Sequence, residues 1–145
     1  MENPFHYITV RTFCYPTELK DRVRKAISFI AFGGGGEAEK IEESVIEGSF
    51  GDIVVMEARI ERAKDIRDFC RRVFPLVDAD DAVRDVDGNL FFHLKFGKEG
   101  AAEGKVVFAH DGNIIHVKGK IRAYPSSREN ALGVISEAVR EYHNN

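Results

Sequence analysis

Residues 116–122 read HVKGKIR and place His116, Lys118, Lys120 and Arg122 two positions apart. Side chains of an extended strand alternate with a period of two. These four therefore share one face, and Ile115, Val117 and Ile121 share the other. The chemistry open to such a row is phosphate binding. Ammonium and guanidinium groups are charged at neutral pH, and a histidine adds a charge when protonated. Two other extended stretches put rings and cations on the same kind of alternating set. They are Tyr7, Arg11 and Phe13 in residues 5–13, and Phe91, His93 and Lys95 in residues 89–96. Cations that grip backbone phosphates, with rings that stack on bases, suit single-stranded or looped RNA. The expected RNA-contacting set is Tyr7, Arg11, Phe91, His93, Lys95, His116, Lys118, Lys120 and Arg122. The plain alternative is a solvated face whose rings are covered by a loop or a partner.

Other groupings carry less. Residues 33–37, GGGGE, lack the Lys-Ser/Thr of a phosphate loop and follow a helical stretch rather than a strand. The five histidines show no HxxxH spacing, and His93 with His116 supplies too few ligands for a metal. The carboxylates of 78–87 lack the Gly and Glu placement of a calcium loop. Nothing orients Cys14 toward a histidine, and no Ser sits in a GxSxG turn. The expectation is a protein that is not an enzyme and uses no metal or cofactor.

The elements that must position these residues follow from pattern. Residues 5–13 read as a strand with Ile8 and Val10 on its inner side. Thr17 has the look of an N-cap, and Leu19, Val23, Ala26, Ile27 and Ile30 recur at helical spacing up to the glycine run at 33–36. Residues 40–46 and 53–60 read as two extended segments joined by EGSFGD. A second helix spans about 62–74 and ends at Pro75; its Arg and Lys residues interleave with Glu and Asp as local ion pairs. After an acidic connection with a possible helical turn, residues 89–96 form a strand. Residues 105–109 and 114–122 are expected to form a hairpin across HDGN. The last helix opens at SSRE, where Ser126 and Glu129 have capping-box spacing, and Leu132, Ile135, Val139 and Tyr142 form its stripe. The resulting order is β-α-β-β-α-β-β-β-α: an α+β fold, two layers, with helices packed on one face of a mixed, mostly antiparallel sheet.

At 145 residues, 43% apolar and 31% charged, the chain is expected to be one globular α+β domain, residues 1–145. A net charge of -3 argues against a general polyanion binder and requires any basic patch to be local. Cys14 and Cys70 read as reduced, packed thiols. The first ten residues show no signal-peptide pattern and no stretch has the length of a membrane span, so a cytoplasmic protein is expected.

FHYITVRTFCYPTE, IEGSFGD, EARIERAKDIRDF, DGNLFFHLKFGKEGAAEGKV and KIRAYPSSRENAL together resemble a small archaeal family of RNA-binding domains. The resemblance covers nearly the whole chain. It implies an archaeal cytoplasm, an accessory role in an exosome-type RNA-processing assembly, and a fold similar to the ribosomal protein that binds the small RNA of the large subunit. The family's pattern at the hairpin after the second strand is E-G-H-x-G-N-P. Here Ser49 stands at the histidine and Asp52-Ile53 at Asn-Pro, which removes whatever that histidine does. The resemblance implies no catalytic residues. The reading is thus a non-catalytic RNA-binding protein, with other protein subunits or a homodimer as further partners. The alternative is a protein-interaction or oligomerisation module that does not touch RNA.

Overall fold

The computed structural model describes residues 2–34, 40–110 and 112–144. Five strands form one antiparallel sheet in the order β2-β3-β1-β5-β4, from β1 (Phe5–Cys14), β2 (Glu42–Ile46), β3 (Ile53–Ile60), β4 (Phe91–Gly97) and β5 (Ile114–Ile121). The helices are α1 (Lys20–Phe32), α2 (Ala63–Val73), α3 (Ala79–Arg84), α4 (Lys98–Ala102) and α5 (Arg128–His143). The class is two-layer α+β, as expected.

The chain divides into two compact units. The first comprises Met1–Ile8, Ile60–Leu94 and Lys118–Asn145. Its core is a run of stacked rings: Phe74 lies 6.0 Å from Phe5, 5.9 Å from Phe92 and 5.7 Å from Tyr142, all near parallel. Phe5, Phe74 and Phe92 are buried, each contributing roughly 1.5–3 kcal/mol. The ring of Phe5 lies directly on Gly119 of β5; a Cβ there would sit 2.7 Å from it. Phe5 is buried although it shares parity with Tyr7, because the alternation of β1 slips at His6–Tyr7 before settling at Ile8. α5 is tied in by Arg128 Nη1 donating to the Val86 carbonyl at 2.8 Å and by His143 Nε2, 2.8 Å from the Val77 carbonyl.

The second unit comprises Thr9–Arg59 and Lys95–Val117. β2 and β3 pair antiparallel with Ile46 opposite Ile53, so EGSFGD is a hairpin loop as expected. α1 packs on α4. Lys98 at the start of α4 is 5% exposed, and its ammonium donates to both carboxylate oxygens of Glu18, at 2.9 and 3.2 Å, and to the Phe13 carbonyl at 2.5 Å. A buried charge is tolerated because its donors are satisfied. Cys14 and Cys70 are both free and buried, each in its own unit. Burial pushes both thiols up, Cys70 to about 12.

Four local expectations are corrected. Helix α1 starts at Lys20, with Leu19 rather than Thr17 at its N-cap and no side-chain cap bond. The cap of α5 is Ser127, which accepts from Asn130 N at 3.2 Å, while Ser126 turns to the Ala123 carbonyl. Residues 98–102 are helical, which was not foreseen. Residues 105–109 do not pair with β5. They follow the other edge of β4, through Gly97 N to Val107 O at 2.7 Å and Ala109 N to Lys95 O at 2.9 Å, and make one bridge, Phe96 to Phe108. Helix α4 uses the residues between β4 and that segment, which carries the chain back along β4. The turn at HDGN and the glycine run lie partly outside the described residues.

Gly119 is expected to be the least replaceable glycine of the first unit. Overpacking costs ~1–3 kcal/mol, so Gly119→Val should lower the thermal midpoint by several degrees and Gly119→Ala by less. A Val variant that melts with the parent protein would show that the Phe5 ring has room to yield.

Candidate nucleic-acid interface

Strand β5 shows the expected alternation: Ile115, Val117 and Ile121 are 0–3% exposed, while His116, Lys118 and Lys120 are half-buried on the other face. β4 alternates in the same way, with Phe92, Leu94 and Phe96 buried, Phe91 and His93 half-buried and Lys95 exposed. Ile121 N donates to Leu90 O at 3.0 Å and Lys98 N to Asn113 O at 3.1 Å. This register sets Phe91 opposite Lys120, His93 opposite Lys118, and Lys95 opposite His116. The odd-numbered amides and carbonyls of β4 bond away from β5, as His93 N does to Asp85 O at 2.9 Å. These three are therefore non-hydrogen-bonded pairs, in which side chains stand closest.

In the first unit this register gathers Tyr7, Phe91, His93, Lys118 and Lys120. The Lys118 ammonium lies 4.4 Å from the centre of the Phe91 ring, and the Lys120 ammonium 4.7 Å. Lys120 also donates to the Asn89 carbonyl at 2.7 Å. Tyr7 meets Phe91 edge-on at 6.3 Å. The electron-rich face of Phe91 thus holds two cations in place. Among the described residues no carboxylate pairs with Lys118, Lys120 or Arg122, whereas Arg71 and Arg84 of the neighbouring helices pair with Asp68 at 3.1 Å and Asp81 at 3.5 Å.

Sequence reasoning missed Asp87. It sits in the DGN turn before β4, and its Oδ1 accepts from the amides of Asn89 at 2.9 Å and Phe91 at 3.0 Å. Those two bonds hold a turn in which Leu90 adopts φ 65, a conformation that costs a residue with a Cβ. Oδ2 lies 2.7 Å from His93 Nε2. The Asp-Gly-Asn signal for a turn was legible; the second bond, to a side chain on the strand, was not. Partial burial pushes the Asp87 carboxyl up, but the bonds from His93, Phe91 and Asn89 outweigh it and hold the group below the usual carboxylate range.

The remaining expected residues have other surroundings. Arg122 lines a cleft of about 220 Å³ with Glu137, Glu141 and Tyr142 of α5. Arg11, Lys95 and His116 belong to the second unit. There Arg11 lies over the Phe13 ring at 5.4 Å and 4.0 Å from Glu57. Among the described residues no group of His, Cys, Asp or Glu could hold a metal ion, and no helix is long and apolar enough to cross a membrane.

Fold and surface define a small α+β protein with a local patch of cations and rings. The chain belongs to the RNA-binding family, whose model is described as RNA binding and matches residues 7–121. It is 31% identical to a Pyrococcus abyssi protein named as an RNA-binding protein, over 94% of this chain and 92% of that one. A solved DUF54 protein from Methanothermobacter thermautotrophicus is 29% identical, with a TM-score of 0.79 over 93% of this chain and 98% of that chain. A second DUF54 structure, from Archaeglobus fulgidus, shares the fold at 23% identity, with a TM-score of 0.78 over 92% and 99%.

Asp87→Asn keeps an oxygen to accept the turn amides and removes the charge. The folded protein favours the carboxylate more than the unfolded chain does. The charge therefore stabilises the fold above about pH 4, and that contribution is lost as pH falls through the lower folded-state value. Denaturant titrations should find Asp87→Asn weaker than the parent at pH 7, with the gap closing in strong acid. A gap of the same size at both pH values would mean that shape, not charge, is what the substitution disturbs.

Proposed function

We propose that this chain is a non-catalytic RNA-binding protein that grips the backbone of single-stranded or looped RNA with Lys118 and Lys120. The observation that carries the reading is the pair of ammonium groups held over one ring with no carboxylate partner among the described residues. Lysine binds phosphate as a point charge on a flexible stem. Parking two of them on Phe91 restricts that stem before the ligand arrives, so less freedom is lost on binding. The ring's face is occupied, so Phe91 acts by holding cations rather than by stacking on a base. Tyr7 and His93 border the same patch, and His93 adds a positive charge when protonated.

Membership of the RNA-binding family and the name of the Pyrococcus relative support the ligand class. An accessory place in an exosome-type assembly in an archaeal cytoplasm is the finer part of the proposal and rests on the family resemblance of the sequence alone.

The test is a salt titration of binding to single-stranded RNA. Each phosphate contact contributes about 0.7 to the slope of log K against log salt. Lys118→Glu with Lys120→Glu should therefore weaken binding and make the slope shallower by roughly 1.4. Superimposable curves for parent and double variant would remove these lysines from the interface.

A further inference from the structure

Exposed apolar side chains are unevenly spread. Among the described residues, all of the large exposed ones except Leu76 and Tyr124 belong to the second unit. Two of them, Phe13 and Tyr15, are neighbouring rings, and a third ring, Phe50, stands on a loop whose Gly51 approaches Pro16. Phe13 is 36% exposed and Tyr15 40%, with ring centres 6.3 Å apart and planes 35° from parallel. Phe50, at the tip of the β2–β3 loop, is 98% exposed. Gly51 beside it has φ +117, and a Cβ there would come within 2.8 Å of Pro16, so the loop tip is seated on the residue next to Tyr15.

Tyr15 and the backbone of Phe13 are pinned by their neighbours. The Tyr15 amide donates to Glu18 Oε1 at 3.1 Å, and the Glu18 amide to the Tyr15 carbonyl at 2.9 Å. The Lys98 ammonium, bound to Glu18 and to the carbonyl of Phe13, lies 5.3 Å from the Tyr15 ring centre. Arg11 stacks over Phe13. Its contact with Glu57 is long, with both side chains about half exposed, and such pairs contribute little.

We propose that Arg11, Phe13, Tyr15 and Phe50 form a second ligand surface that takes unstacked nucleobases of single-stranded RNA. The proposal rests on the RNA-binding reading above. Rings held rigid at the surface lose little freedom on stacking, and any base offers them a π-face. The Arg11 guanidinium over the Phe13 ring adds a cationic group of the kind that bases also stack on. Glu18, bonded to the Tyr15 amide, is neutralised by a buried lysine and so does not oppose an RNA strand strongly.

Stacking releases no counterions, so its removal has a signature distinct from that of removing lysines. With a short oligouridylate as probe, Phe13→Ala with Tyr15→Ala should lower affinity about tenfold while leaving the salt slope unchanged. Phe50→Ala, at a position whose side chain is almost wholly in solvent, should act in the same direction without disturbing the fold. On an abasic strand of equal length, parent and ring variants should bind alike. Undiminished oligouridylate binding by the ring variants would overturn the second surface. It would leave the lysine reading intact if Lys118→Glu with Lys120→Glu still weakens binding. An equal loss on the abasic strand would also overturn it, since the rings would then act on the backbone. A change in light-scattering mass with RNA affinity unmoved would make the patch a protein interface instead. If neither set of variants affects binding, both readings fall together.

Discussion

The alternation of β5 is the constraint on which the surface depends. Ile115, Val117, Gly119 and Ile121 are buried along one side of the strand, and an odd register shift would not keep them from water. A slip by one residue would expose those four and bury His116, Lys118 and Lys120. Gly119 sharpens the constraint, because Phe5 lies on it and is itself packed against Phe74 and Phe92. The lysines face outward because their neighbours cannot. Core and proposed binding patch are two sides of one strand, so a change that loosens the ring stack also frees the ammonium groups from their places.

In a protein of net charge -3, the proposed contact with RNA rests on local separation of charge, not on an overall field. Several cations elsewhere are matched by carboxylates. Lys20 and Arg24 both reach Glu43, Arg22 approaches Glu103, and the Lys and Arg residues of α2 and α3 include Arg71 and Arg84 in helical ion pairs. Held below its ordinary range chiefly by the hydrogen bond from Lys20, Glu43 is spoken for. Lys118 and Lys120 differ because their partner is a ring. A quadrupole orients an ammonium without cancelling its charge, so the group remains available to a phosphate.

Much of this was legible in the residues. The strands at 5–14, 53–60, 91–97 and 114–121, the helices at 20–32, 63–73 and 128–143, and the parity of β4 and β5 follow from period and turn chemistry. Boundaries that depend on caps were less legible: Ser126 and Ser127 are adjacent and chemically alike, and only geometry decides which one meets Asn130 N. Residues 105–109 look like a strand because they are β-branched and aromatic, yet the helix at 98–102 decides which edge they meet. Lys98 reads as a surface lysine in FGKEG. Its burial depends on Glu18, eighty residues earlier, and no local pattern records that pairing.

From sequence alone came the two-residue period that puts Lys118 and Lys120 on one side of a strand, because alternation is a property of the extended backbone and needs no neighbour. Only the tertiary structure decided what that side means. Long-range pairing of β5 with β4 set Phe91 beside both ammonium groups, and the fold sent Arg122 to a cleft beside α5. Strand register is a cooperative outcome of the whole core, and a contact between residues nearly thirty apart has no signature in either segment read by itself.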